Sequence, residues 1–151
     1  VDVNGARQAF FAEAEELLDE MEQALLSLGG RSDPEDIHRL FRVAHTIKGN
    51  SRLFPFPRVE AFAHRIEGLL DALRGGRVGI TEEILGLLFR VRDHLGALVA
   101  DAAEGAEPEA GRERRGAELS AELEIAATAQ SVAEPVPLVS DGFPVRWRVE
   151  W

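Results

Sequence analysis

The sequence predicts an all-α protein: an antiparallel four-helix bundle with an extra fifth helix and a C-terminal extended strand segment. Three observations predict this. Apolar residues recur at three- and four-residue spacing in four successive segments of similar length, which marks helices with one buried face. Short turns carrying glycine or proline separate those segments, and short connections favour antiparallel neighbours. Only at the far C-terminal end does the apolar period change from helical to two.

The first helix is expected over residues 4–28, with Asn4 as its N-cap. Phe10, Ala14, Leu17, Met21, Ala24, Leu25 and Leu28 form its apolar stripe, and Glu13, Glu16, Asp19, Glu20 and Glu22 load the other faces. Gly29-Gly30 is read as its end. Asp33-Pro34 opens the second helix, residues 34–54, with Asp33 as N-cap and Pro34 in the first helical position, where a missing N–H costs nothing. Phe54-Pro55-Phe56-Pro57 stops it, because a residue preceding proline avoids the helical region. Pro57 then leads into the third helix, residues 58–74. Its apolar stripe is Val59, Phe62, Ile66, Leu69, Leu70 and Leu73; Glu60, His64, Glu67 and Asp71 make a polar one. Gly75-Gly76 ends it. Thr81 caps the fourth helix, followed by Glu82 and Glu83 in the first turn. Ile84, Leu87, Leu88, Val91, Leu95, Leu98 and Val99 run down its core side to about Ala103. A fifth helix over residues 109–131 has only a thin stripe, Leu119, Leu123, Ala126 and Ala127, suited to packing on the outside of a bundle.

Residues 131–141 read as a linker rich in proline and small residues. Val145, Trp147, Val149 and Trp151 then alternate with Arg146, Arg148 and Glu150, a strand pattern. A lone strand is not stable by itself. The expected organisation is therefore a bundle over 1–104, a polar loop and fifth helix over 105–133, and a linker plus the first strand of a following domain over 134–151. Strand 143–151 is also a candidate surface for self-association.

Composition narrows the function. The 151 residues carry a net charge of −10, which disfavours nucleic acid and anionic membrane as partners. There is no cysteine, hence no disulfide framework or thiolate metal site. No apolar run approaches the roughly 20 residues of a membrane span, and the N-terminal residues do not read as a signal peptide. A cytoplasmic location fits these features. The chain carries no glycine-rich phosphate loop and no Ser-His-Asp or paired-carboxylate arrangement, so no ATP site is expected in it.

The chemistry concentrates in Ala44-His45-Thr46-Ile47-Lys48-Gly49-Asn50-Ser51. At about 100° per residue, Ile37, Leu40, Val43, Ala44, Ile47 and Phe54 share one side of the second helix. His38, Arg42, His45, Lys48, Gly49 and Arg52 share the other. His45 thus points away from the core. Imidazole is a neutral nucleophile near neutral pH. Lys48, three residues on, can face whatever His45 carries, and Gly49 opens the face to a partner. A short connection sets the third helix beside the second, so His64 and Glu67 can converge on His45. Glu67 could accept from His45 Nδ1–H, fix the tautomer and leave Nε2 exposed, as a carboxylate orients a catalytic histidine. Lys48 could pair with an anionic group brought to His45.

His-Thr-Ile-Lys-Gly, together with Phe62-Ala63-His64-Arg65-Ile66-Glu67-Gly68-Leu69-Leu70-Asp71, resembles histidine phosphotransfer (HPt) domains, and most of all the N-terminal phosphoacceptor domain of CheA-type chemotaxis histidine kinases. The likeness covers roughly residues 6–103. Pro55 departs from it, standing where many members carry glycine, which bears on the turn after the second helix. The resemblance implies that His45 accepts phosphate within a hydrogen-bonded network of Lys48, His64 and Glu67. The donor would be ATP on the kinase's separate catalytic domain, and the acceptor an aspartate of a response regulator's receiver domain. It implies no cofactor in this domain, with ATP and magnesium belonging to the partners. His38, Arg42, Gly49 and Arg52 would border the docking face. Three rivals stand beside this reading: a free-standing phosphorelay carrier, a bundle that only binds partners, and a zinc site made by His45, His64 and Glu67, for which a neighbouring lysine is a poor companion. His64 could also be a boundary residue covering the core. His38 and His94 read as surface residues.

Overall fold

Five helices follow one another in the computed structural model, which describes residues 3–31 and 33–128: α1 (Val3–Gly30), α2 (Pro34–Leu53), α3 (Pro57–Arg74), α4 (Glu82–Glu104) and α5 (Ala110–Thr128). They form a helical bundle. The expected linker and the strand at 143–151 lie outside the described residues. Among the described residues no helix is long and apolar enough to cross a membrane.

Local chemistry sets most helix ends. Asp33 adopts extended backbone angles and its side chain accepts from the Glu35 amide at 2.9 Å, ahead of Pro34. Thr81 does the same for Ile84 at 3.0 Å. The Phe56 amide bonds the Ser51 carbonyl at 2.9 Å, which closes the turn containing Pro55. At the end of α3, Gly76 takes φ +78°, its amide reaches the Leu73 carbonyl, and the Arg77 amide reaches that of Ala72. This paired return onto the last turn requires a left-handed residue, which glycine supplies without steric cost. Gly105, at φ +68°, ends α4 in the same manner.

Two expectations about α1 are corrected. Asn4 lies inside the helix rather than capping it, and the helix continues through Gly29 and Gly30. The Arg31 amide bonds the Ser27 carbonyl at 3.1 Å, so helical bonding carries the glycines along; a glycine permits a left-handed exit but does not force one. Within the stripe, Leu18 is buried and Leu17 only partly so.

The core joins Met21, Leu25, Leu40, Ile47, Ile66, Leu69, Leu70, Val91 and Leu95, drawn from α1 to α4. Helix α5 lies against α3 and α4 and inserts Leu119 and Leu123. Ion pairs rim this contact: Arg112 with Asp101 at 2.6 Å, Arg90 with Glu122 at 3.1 Å, and Arg58 with Glu107 at 2.9 Å. The two exposed pairs, Arg90–Glu122 and Arg58–Glu107, contribute about 0–1 kcal/mol each. The two leucines, at roughly 1.5–3 kcal/mol apiece, therefore hold α5 more firmly than those two pairs do.

His94 is a third correction. It is 6 % exposed, with its ring edge-on to Phe62 at 4.8 Å. The side of α4 that carries it is covered by α5, which comes close because residue 116 has no side chain: a Cβ there would lie 2.8 Å from His94 Nε2. Gly116→Ala should cost about 1–3 kcal/mol, as overpacking typically does. Hydrogen exchange is expected to speed up in the α5 amides before those of α1–α4; unchanged α5 protection would refute this.

Burial, with the cations of Arg112 and Arg115, holds the His94 imidazole below its ordinary pKa, and Asp101 offsets this only in part. Freed of the fold, this ring takes up a proton near pH 6.5; in place it resists. Stability should therefore fall as pH drops below about 6.5, until the lowered folded value is reached. Melting curves of wild type and His94→Gln across that range should converge towards acid, because the variant lacks this loss.

Candidate functional site

The site lies between α2 and α3. Helix α2 buries Leu40, Val43, Ala44 and Ile47, which turns His45 outward, with 62 % of its side chain exposed. Helix α3 packs alongside and presents Glu67, which is buried even though it sits in the stripe read as polar.

Glu67 is the hub. One carboxylate oxygen, Oε2, is hydrogen-bonded to His45 Nδ1. The other, Oε1, accepts from Lys48 Nζ at 2.6 Å. Burial alone would raise the Glu67 pKa, but hydrogen bonds from Lys48 and His45 and their charges outweigh it and hold the group below the usual carboxylate range. Glu67 is therefore ionised near neutrality. An ionised carboxylate only accepts, so the shared proton belongs to Nδ1; in the neutral imidazole that tautomer puts the lone pair on Nε2. Nε2 has no hydrogen-bond partner among the described residues and sits on the exposed ring. A buried carboxylate thus orients a solvent-facing imidazole.

The other expected residues take different places. Lys48 is 16 % exposed and engaged with Glu67, so it neutralises the hub. His64 Nδ1 lies 3.7 Å from Glu67 Oε1, too far for a hydrogen bond, and its side chain is 71 % exposed, so it does not cover the core. Gly49 faces open space: a Cβ there would meet nothing within 4 Å. Arg42 and Arg52 are exposed on the same helix but already paired, with Glu35 at 3.8 Å and Glu60 at 2.8 Å. His38 is exposed. No group of three or more His, Cys, Asp or Glu side chains among the described residues is arranged to hold a metal ion.

Two neighbours were not singled out from the sequence. Phe41, one turn before His45, lies with its ring nearly parallel to the imidazole. Arg74, at the end of α3, places its guanidinium over Phe41. The i, i+4 spacing of Phe41 and His45 was visible; the approach of Arg74 depends on how α2 and α3 cross.

The chain is similar to proteins of known family. The chemotaxis protein CheA of Rhizobium meliloti is 36 % identical over 141 residues, covering 91 % of this chain and 18 % of the relative. CheA of Bacillus subtilis is 31 % identical over 154 residues, covering 99 % of the chain and 22 % of the relative. The chain thus spans about a fifth of the length of these relatives. The crystal structure of the phosphorylated P1 domain of CheA3 in complex with CheY6 from R. sphaeroides superposes with a TM-score of 0.71 at 31 % identity, covering 82 % of this chain and 99 % of that one. The profile of the Hpt domain matches residues 5–105, a span that contains α2 and α3 with the whole His45–Glu67 pair, and the chain belongs to the Hpt domain family.

Proposed function

We propose that this chain is the phosphotransfer domain of a CheA-type histidine kinase and that His45 is its phosphoacceptor. The observation that carries the reading is the ionised, buried Glu67 bonded to Nδ1 of an exposed imidazole whose Nε2 is free. The Nε2 lone pair attacks the γ-phosphorus of ATP held on a separate catalytic domain. The N–P bond forms, the bond to the bridging oxygen breaks, and ADP leaves with that electron pair. Positive charge developing on the ring lies against Glu67. The group then passes to an aspartate of a response-regulator receiver domain. Both steps are displacements governed by positioning and charge stabilisation. Magnesium belongs to the partners, and the setting is cytoplasmic.

Several finer assignments go with this reading. Short turns favour an antiparallel order for the first four helices. Residues 1–104 act as the phosphotransfer bundle and 105–133 as its polar loop and buttress, with 134–151 leading to a following domain. His64 and Lys48 tune the charge at Glu67, and His38, Arg42, Gly49 and Arg52 border the docking face.

The test is incubation with ATP, magnesium and a CheA-type catalytic domain, followed by intact-mass measurement. Gain of one acid-labile phosphoryl group, removed on adding a receiver domain, supports the reading. No gain, with the same catalytic domain active on another P1 substrate, overturns it and leaves a partner-binding bundle.

A further inference from the structure

We propose that Phe41 is a positioning residue for His45, and that Arg74 holds Phe41 in place for that task. The inference rests on the phosphotransfer reading and deepens it. The Phe41 and His45 ring centroids are 6.0 Å apart with planes 10° from parallel, within the roughly 4.5–7 Å range of offset stacking. Arg74 Cζ lies 3.7 Å from the Phe41 centroid, a close cation–π contact. Arg74 Nε donates to Asp71 Oδ1 at 3.0 Å, and Asp71 stands one turn after Glu67 in α3. The contacts therefore form a loop that leaves α3 at Asp71, passes through Arg74 and Phe41 to His45, and returns to α3 at Glu67.

The loop answers a mechanical need. A hydrogen bond at Nδ1 fixes one edge of the imidazole, but an exposed ring can still rock about that bond. In-line attack requires the Nε2 lone pair to point at phosphorus, and small misalignments are costly. A flat face beside the ring removes the rocking. Helix α3 thus constrains His45 twice, at its edge through Glu67 and at its face through Arg74 and Phe41. The plainer role for Phe41 is to cover the margin of the core, against which it also packs. Leucine could do that equally well; it has no flat face to offer.

The experiment uses the full chain and phosphoramidate, a small donor that needs no docked partner. The Nε2 lone pair forms the N–P bond while the donor's P–N bond breaks. The donor nitrogen enters as ammonium and leaves as ammonia, and the imidazole keeps its proton on Nδ1, hydrogen-bonded to Glu67. Uptake rates are measured for wild type, Phe41→Leu, Phe41→Tyr and Arg74→Met. Phe41→Leu should lower the maximal rate about tenfold with an unchanged KM for phosphoramidate. Phe41→Tyr, which keeps the face, should stay within about twofold of wild type. Arg74→Met, at an exposed position at the end of α3, should give a smaller loss of the same kind, with a thermal melt to check that the fold is kept. Leucine or methionine variants that react at the wild-type rate, with wild type phosphorylated, overturn the inference alone. A wild type that takes up no phosphoryl group from any donor overturns the phosphotransfer reading and this inference with it.

Discussion

His45→Gln should carry no acid-labile phosphoryl group after incubation with ATP, magnesium and a CheA-type catalytic domain, and it should melt where wild type melts. The amide of glutamine has no nucleophilic lone pair comparable to that of imidazole Nε2, so the N–P bond cannot form. The fold should tolerate the change because the side chain is largely solvent-exposed and Glu67 keeps its 2.6 Å bond to Lys48. Intact mass and a thermal melt together make the measurement. A phosphoryl group retained by the variant would move the acceptor role elsewhere, first to the exposed His64 beside the same carboxylate.

Glu67→Gln separates orientation from nucleophilicity. The amide presents either an oxygen or an NH2 group to Nδ1 and carries no charge to offset the developing imidazolium. Uptake should slow by on the order of 100-fold, the scale of a lost acid–base partner, while the acceptor atom itself remains. The variant should also lose about 1–3 kcal/mol, because the mostly buried Lys48 ammonium is left without its carboxylate. The pH dependence follows from the lowered pKa of Glu67. A depressed carboxylate contributes stability that is present above the ordinary carboxylate pKa and is lost as pH falls through the folded value. The gap between wild type and variant should thus be widest near neutrality and narrow in acid. Stopped assays of uptake and melts at several pH values give both quantities. Wild-type kinetics in Glu67→Gln would remove Glu67 from the mechanism.

What could be read in advance depended on how local the cause was. Asp33, Thr81 and the stop around Pro55 act on their own neighbours within a turn, and each helix end follows from them. The facing of His45 and Glu67 was legible because two helical faces and one short turn suffice to set it, and the resemblance pointed to the same residues. Glu67's burial was not: a carboxylate at that spacing reads as solvent-facing until Lys48 and His45 are placed around it. The same holds for His94, whose cover comes from α5, a helix whose docking depends on Gly116 lacking a Cβ. Gly29 and Gly30 misled for a different reason, since conformational freedom is compatible with helix as well as with its end. Arg74 and Phe41 meet only through the crossing of α2 and α3, a long-range geometry that no local pattern encodes.

The openness of His45 has a consequence for traffic through the domain. Its imidazole is largely exposed, with Phe41 beside the ring and Glu67 bonded at Nδ1. If His45 is the phosphoacceptor proposed above, whatever delivers a phosphoryl group and whatever removes it must both reach the same Nε2, so the two visitors take turns. Throughput then rises with the concentration of each only to a point, beyond which an excess of either blocks the other.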